Sequence, residues 1–241
     1  MIRPALLAGH FGSSHTRLVS GLQYHLGGAQ DTDELADLAR LSPSDHVLDV
    51  CCFIGGPAIQ LADRIGCRVT GIDLDQDAIA GAGRLAEVVG LSDLLDFRVA
   101  DAGDLPFEDR TFSVVWNQCS LDPDEHWLEE FDRVLSPGGR FAFTFQMKGT
   151  NDDGRWTLED LISLVERLGY RVDHSDDITQ RDIRIGWNAL DSRLSEREDE
   201  FREVFGPEWV QKAHEEFRGE AEAMHQGRWG NGRIVATKQG G

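Results

Sequence analysis

The chain has 241 residues, 40% of them hydrophobic and 28% charged, which suits one large domain or a domain with an inserted cap. Its formal net charge of −19 repels polyphosphate, and no basic stripe interleaved with aromatics offsets it, so nucleic-acid and peripheral-membrane partners are disfavoured. No apolar run approaches the ~20 residues that cross a bilayer, no signal-peptide pattern opens the chain, and Cys51, Cys52, Cys67 and Cys119 form no C-x-x-C pair, so the expectation is reduced thiols in a cytoplasmic protein.

Residues 1 to 30 carry Gly9-His10-Phe11-Gly12 and Tyr24-His25-Leu26-Gly27-Gly28, with space for a short helix between them. Asp31 is placed to cap a helix over Thr32–Arg40, with Leu35, Leu38, Ala39 and Leu41 on one side and Ser42-Pro43-Ser44 ending it. From Asp45 onward strand and helix patterns alternate. Strands read at His46–Cys51, Cys67–Asp73, Asp96–Ala100, Phe112–Asn117 and Arg140–Gln146. The first two are followed by helical runs through Ile59, Ala62 and Ile65 and through Ile79, Ala82, Leu85, Ala86 and Val89. A helix over Asp124–Leu135 stops at Ser136-Pro137-Gly138-Gly139. Such alternation implies a parallel sheet with helices on both faces.

The end of the chain departs from this rhythm. A helix over Leu158–Leu168 leads to a strand at Tyr170–Asp173, and a last strand spans Gly232–Lys238. Between them lie helical patterns in which Val210, Ala213, Phe217, Ala221 and Met224 share a face. From Asp191 to Glu222 eleven carboxylates face five Lys or Arg residues, so these helices are amphipathic and acidic. They read either as a lid over the crevice beyond the strand ends or as packing at the sheet edge or a dimer contact.

Chemistry concentrates at Val47-Leu48-Asp49-Val50-Cys51-Cys52-Phe53-Ile54-Gly55-Gly56-Pro57. A buried-strand run passes through a tight loop into a helix start, where Pro57 is suited to the first turn. A helix N-terminus there offers free N–H groups to an anionic group. Twenty-four residues on from Asp49, Asp73 ends the second strand, at the spacing of a carboxylate that accepts from ribose hydroxyls. The dinucleotide fingerprint G-x-G-x-x-G is missing, which argues against nicotinamide or flavin.

On these residues the chain resembles the class I S-adenosylmethionine-dependent methyltransferases, from about Asp45 to Gln146 and more loosely at the ends. Cys51 and Phe53 stand at that family's first two glycine positions and Gly55 at the third. The resemblance implies an α/β fold: a doubly wound, mostly parallel seven-stranded sheet with an antiparallel last strand and a helical cap. The division it suggests is a cap segment over 1–44, a cofactor-binding core over 45–175, a helical lid over 176–228, and a last strand and tail over 229–241. It implies S-adenosylmethionine as cofactor, with Asp49, Cys51 and Gly55 at the methionine end and Asp73 on the ribose. Leu74 would lie against adenine, Asp101 and the Ala102 amide would read its edge, and Asn117 would face the cofactor from the fourth strand.

Phe112-Ser113-Val114-Val115-Trp116-Asn117-Gln118 and Arg133-Val134-Leu135-Ser136-Pro137-Gly138-Gly139 look like the branch acting on small metabolites, such as sarcosine, phosphoethanolamine, sterols and quinones. Asn117-Gln118-Cys119-Ser120 is not the tetrad that grips a flipped base. Methyl transfer needs alignment and exclusion of water more than covalent help. His126 is the candidate base, set against simple exposure at a helix start. Gln118 and Tyr24 are candidate acceptor-side groups, with Tyr24 and His25 alternatively a plain turn. Trp187, Trp209 and Trp229 would make an aromatic wall or lid packing. His214 and His225 lack supporting ligands, so no metal is expected. The expected activity is methyl transfer to a small-molecule acceptor. The alternative is a protein that keeps the fold and binds the cofactor with altered chemistry or none, and a homodimer stays open.

Overall fold

A computed structural model describes residues 14–121, 125–150 and 156–240. The first thirteen residues of the expected cap segment, and the Asp124 start expected for the helix after the fourth strand, lie outside them. Two helices open the described chain, α1 (Ser14–Ser20) and α2 (Gly28–Leu38). The alternating core follows: β1 (His46–Val50), α3 (Gly56–Ile65), β2 (Arg68–Asp73), α4 (Gln76–Val89), β3 (Leu95–Val99), β4 (Phe112–Leu121), α5 (Glu125–Val134) and β5 (Leu135–Lys148). Then come α6 (Leu158–Arg167), β6 (Tyr170–Asp177), α7 (Thr179–Asp182) running through a π-helical turn (Ile183–Trp187) into α8 (Asn188–Glu196), α9 (Glu198–Phe205), α10 (Pro207–His225) and β7 (Trp229–Lys238). The sheet order is β3-β2-β1-β4-β5-β7-β6, with β7 antiparallel to both neighbours. The expected doubly wound sheet with an antiparallel last strand is what the chain forms.

Helix ends follow local chemistry. The Asp75 side chain accepts from the amides of Asp77 and Ala78 to start α4, and Gly90 at φ 73° closes it. Thr157 and Asp160 form a reciprocal capping box on α6. Three apolar groups hold the layers. Leu48, Val50, Val115, Phe143 and Phe145 of the sheet pack with Leu128, Phe131, Leu161 and Val165 on one face. Val47, Val114, Trp116, Ala142 and Val235 pack with Leu35, Ala36, Ala58 and Leu61 on the other. Alternate residues of β1 and β4 thus serve opposite faces, as the pleat requires. The third group belongs to the cap: Val19 of α1 joins Ile183, Trp187, Leu190, Leu194, Phe217 and Met224.

Several boundaries differ from expectation. Asp31 is not the cap of α2, because Gly27 at φ 82° turns the chain one helical turn earlier and leaves Asp31 buried inside the first turn. Strand β5 begins at Leu135 rather than Arg140: Phe112 pairs with Leu135 and Val114 with Arg140, so the Ser136–Gly139 turn is absorbed as an irregularity in the ladder. Strands β6 and β7 are longer than the apolar patterns indicated, since Asp176 to Arg233 and Asp177 to Gly232 still pair where side chains are polar. The region between β6 and β7 forms four helices and a π turn, and no helix among the described residues is long and apolar enough to cross a membrane.

Candidate cofactor and acceptor site

Sequence order reverses between β1 and β4, and the crevice beyond the C-terminal ends of their strands is where ligands bind in open α/β sheets. The loop leaving β1 there takes left-handed backbone at alternate positions: Cys51 at φ 58°, Phe53 at φ 49° and Gly55 at φ 75°. Non-glycine residues sustain that conformation at roughly 1–3 kcal/mol each only where surroundings enforce it. Here the enforcing bonds are explicit. The Cys52 amide donates to the Ile72 carbonyl (2.9 Å), the Gly55 amide to the Cys52 carbonyl (2.8 Å) and Asn117 Nδ2 to the Val50 carbonyl (2.9 Å). Gly55 is required as glycine, since a Cβ there would stand 2.6 Å from the Phe97 ring. Gly56, which opens α3, has the Leu22 carbonyl where a Cβ would go, so the N-terminal segment lies directly across the helix start.

The expected acids gather on this rim. Asp49 is buried, and its Oδ2 has no hydrogen-bond partner. Burial first, and the neighbouring Asp73 carboxylate second, push its pKa up to about 8. Asp73 accepts from the Phe53 amide on Oδ2 and the Asp75 amide on Oδ1, both at 2.9 Å. Each oxygen keeps a lone pair for a further donor. Asp101 accepts from the Gly103 amide (2.9 Å), with Ala102 buried beside it. Leu74 stands 66% exposed just past β2, an apolar side chain with no protein partner to bury it.

On the acceptor side, the Tyr24 ring lies 5.3 Å from that of Phe53. Gln118 uses three of its four amide positions: its Oε1 accepts from Thr32 Oγ1 and Trp116 Nε1 (both 3.1 Å), and its Nε2 donates one hydrogen to Asp31 Oδ2 (2.7 Å). Its amide therefore ties β4 to α2. His25 is buried, with Nε2 3.1 Å from Thr32 Oγ1, and burial holds its pKa below the usual imidazole value. His126 is exposed and lies with the Asp101 loop, its ring 3.1 Å from a Cβ placed on Gly103, whereas Tyr24 and Gln118 lie with the N-terminal segment. Trp187 packs on Phe217 in the cap core, 6.4 Å from Trp229, and Trp209 stacks on Phe201 and Phe205. All three thus pack with the helices over 179–225.

Sequence reasoning missed the tie between cap and sheet. Arg181 Nη1 donates to Asp31 Oδ1 (2.8 Å) and Asp182 Oδ1 (3.2 Å), and its Nε to Glu34 Oε2 (2.8 Å). Asp182 in turn accepts from Asn231 Nδ2 (2.7 Å), and burial ahead of Asp31's charge pushes it up to about 7. The available signal was an Arg-Asp pair at the start of an acidic helical run, too weak to single out.

A family model described as "Methyltransferase domain" matches residues 47–139. Residues 47–139, from β1 into β5, therefore resemble a methyltransferase domain. A 27-O-demethylrifamycin SV methyltransferase from Amycolatopsis mediterranei is 40% identical over 114 residues, 46% of this chain and 42% of that protein. A phosphoethanolamine N-methyltransferase 1 from Zea mays is 26% identical over 236 residues, 88% of this chain and 45% of that one. Among solved structures, the [4+2]-cyclase SpnF aligns with a TM-score of 0.70 at 25% identity, covering 88% of this chain and 82% of that one. The chain spans about half the length of the curated relatives it matches. The matched residues include the loop after β1 and the ordered acids at the strand ends.

Proposed function

We propose that this chain binds S-adenosylmethionine at the C-terminal ends of β1 to β4 and transfers its methyl group to a small-molecule acceptor. The observation that carries the reading is the buried, unpartnered Asp49 Oδ2, an oxygen for which burial without a donor is costly. A cationic ammonium supplies the missing donor and the missing charge. Asp73 retains lone pairs for ribose hydroxyls, exposed Leu74 offers a face to adenine, and Asp101 with the Ala102 amide offers an acceptor and a donor to its edge. Cys51 and Gly55 hold the loop open in left-handed backbone, and Asn117 pins the end of β1 through the Val50 carbonyl. The residues present therefore fit the group.

When bound, the cofactor supplies a methyl group activated by positive sulfur. The chain's part is alignment and exclusion of water. The N-terminal segment from Leu22 to His25 covers the loop, and the helices over 179–225 cover the crevice beside it. Tyr24 is the acceptor-side group nearest the loop, through Phe53. His126, exposed beside the Asp101 loop, is the candidate base that a substitution has to test. The apolar groups cut across the expected division into cap segment, core, lid and last strand: Leu35 and Ala36 of α2 and Val235 of β7 pack with the core, and Val19 of α1 with the helices over 179–225.

Relatives bearing this fold include one named as a cyclase, so fold alone does not fix chemistry. The 40% identity to a named methyltransferase favours methyl transfer. Release of S-adenosylhomocysteine, measured over a panel of hydroxylated, amine and isoprenoid metabolites, tests the proposal. Tight cofactor binding with no turnover on any of them would favour the altered-chemistry reading instead.

A further inference from the structure

Phe53 is a bulky residue held in backbone that glycine adopts freely, at φ 49°. Nothing in the loop's own hydrogen bonds requires a ring there: the bond from residue 53 to Asp73 Oδ2 uses only its amide. The ring meets that of Tyr24, at 5.3 Å between centroids and tilted by 44°, a favourable aromatic arrangement. Tyr24 belongs to the segment whose Leu22 carbonyl lies over Gly56 at the helix start. Gln23 anchors the same segment by donating to Gln60 Oε1 on α3 (2.6 Å). One flank of the crossing is thus polar, and the flank over the cofactor loop is aromatic.

We propose that Phe53 and Tyr24 form a clasp that holds residues 22–25 across the cofactor loop, and that Phe53 thereby governs how fast cofactor and product leave. The inference rests on the cofactor reading above. Strain retained at one position is matched by a contact that only a large ring at that position makes. Glycine at position 53 relieves the strain and opens the clasp together, which separates this role from ordinary packing. A packing residue lowers stability when truncated; this one does not.

The test measures S-adenosylhomocysteine dissociation from the full chain by stopped flow, beside thermal unfolding. Phe53→Gly is expected to speed dissociation at least tenfold with an unchanged or higher unfolding midpoint, and Phe53→Tyr to restore the slow rate. Tyr24→Leu is expected to speed dissociation similarly, and the double variant to be no faster than the faster single one, because both open one contact. A rate within threefold of the parent in Phe53→Gly, or single effects that multiply in the double variant, overturns the clasp. A parent chain that binds neither S-adenosylmethionine nor S-adenosylhomocysteine in calorimetry overturns the cofactor reading itself, and the clasp falls with it.

Discussion

Replacing Asp49 with asparagine separates what this residue does for the fold from what it does for the ligand. In the ligand-free protein the Asp49 carboxyl is buried with one oxygen unpartnered, and its pKa stands near 8 against an ordinary 3.8. Between those values the folded chain carries a proton that the unfolded chain lacks, so stability falls as pH rises through the window. The ceiling for one proton is about 1.4 kcal/mol per pH unit. The Asp49→Asn substitution removes the titration and keeps the shape. The variant is therefore expected to unfold at a higher temperature than the parent at pH 8, with the difference shrinking towards pH 5. Cofactor binding should move the opposite way. A cationic ammonium favours the ionised carboxylate, so parent affinity is expected to tighten on the order of 20-fold from pH 6 to pH 8, the ~50-fold gain in ionised carboxyl being roughly halved by loss of the ligand's own ammonium. It stops tightening as the ligand's own ammonium, ordinarily near 7.7–8.0, deprotonates. In the asparagine variant affinity is weak and flat over that range. Calorimetry and thermal scans at pH 5, 6, 7 and 8 read both quantities. A variant less stable at pH 8, or parent binding that is flat from pH 6 to 8, would refute the reasoning.

Leu74→Ser should leave stability within about 0.5 kcal/mol, because the side chain is 66% exposed, yet weaken cofactor binding roughly 5- to 30-fold through lost apolar contact; equal binding would remove Leu74 from the site. Arg181→Met strands buried Asp31 without its cation and is expected to cost about 3–5 kcal/mol, lowering the unfolding midpoint by roughly 6–20 °C for a chain of this size. Adding Asp31→Asn should recover part of that loss, and an additive double variant would count against the tie. His126→Ala should leave kcat/KM within about twofold; a loss near the 10²-fold typical of a general base would restore the role that its exposed position argues against.

How much could be read beforehand differed by region. The strands whose sides both face helices were legible, because Val47 to Val50 and Val114 to Trp116 are nearly continuous apolar runs. Asp49, Asp73 and Asp101 were legible from their order at strand ends. Phe53 stands at one of the family's glycine positions, and the sequence carries residue type and not φ; in the structure the backbone keeps the left-handed turn despite the side chain. Gln118 read as a group for the acceptor, and in the structure Asp31, Thr32 and Trp116 take three of its four amide positions. Those partners sit up to 87 residues away, and no local pattern announces such a bond. The α2 start was missed for a simpler reason: a positive-φ glycine outranked the acid as the turn-former.

The cap satisfies its apolar side chains within itself and α1, through Val19, Leu190, Leu194 and Phe217, while the sheet satisfies its own with α2 to α6. The two bodies meet across a polar seam at Arg181, Asp182 and Asn231, with Trp229 at the start of β7 adding an aromatic contact to Trp187. Substitutions in the cap can therefore remodel the chamber that greets an acceptor without disturbing the floor that holds the adenosyl group. Such a division lets one scaffold change clientele while its donor chemistry stays fixed.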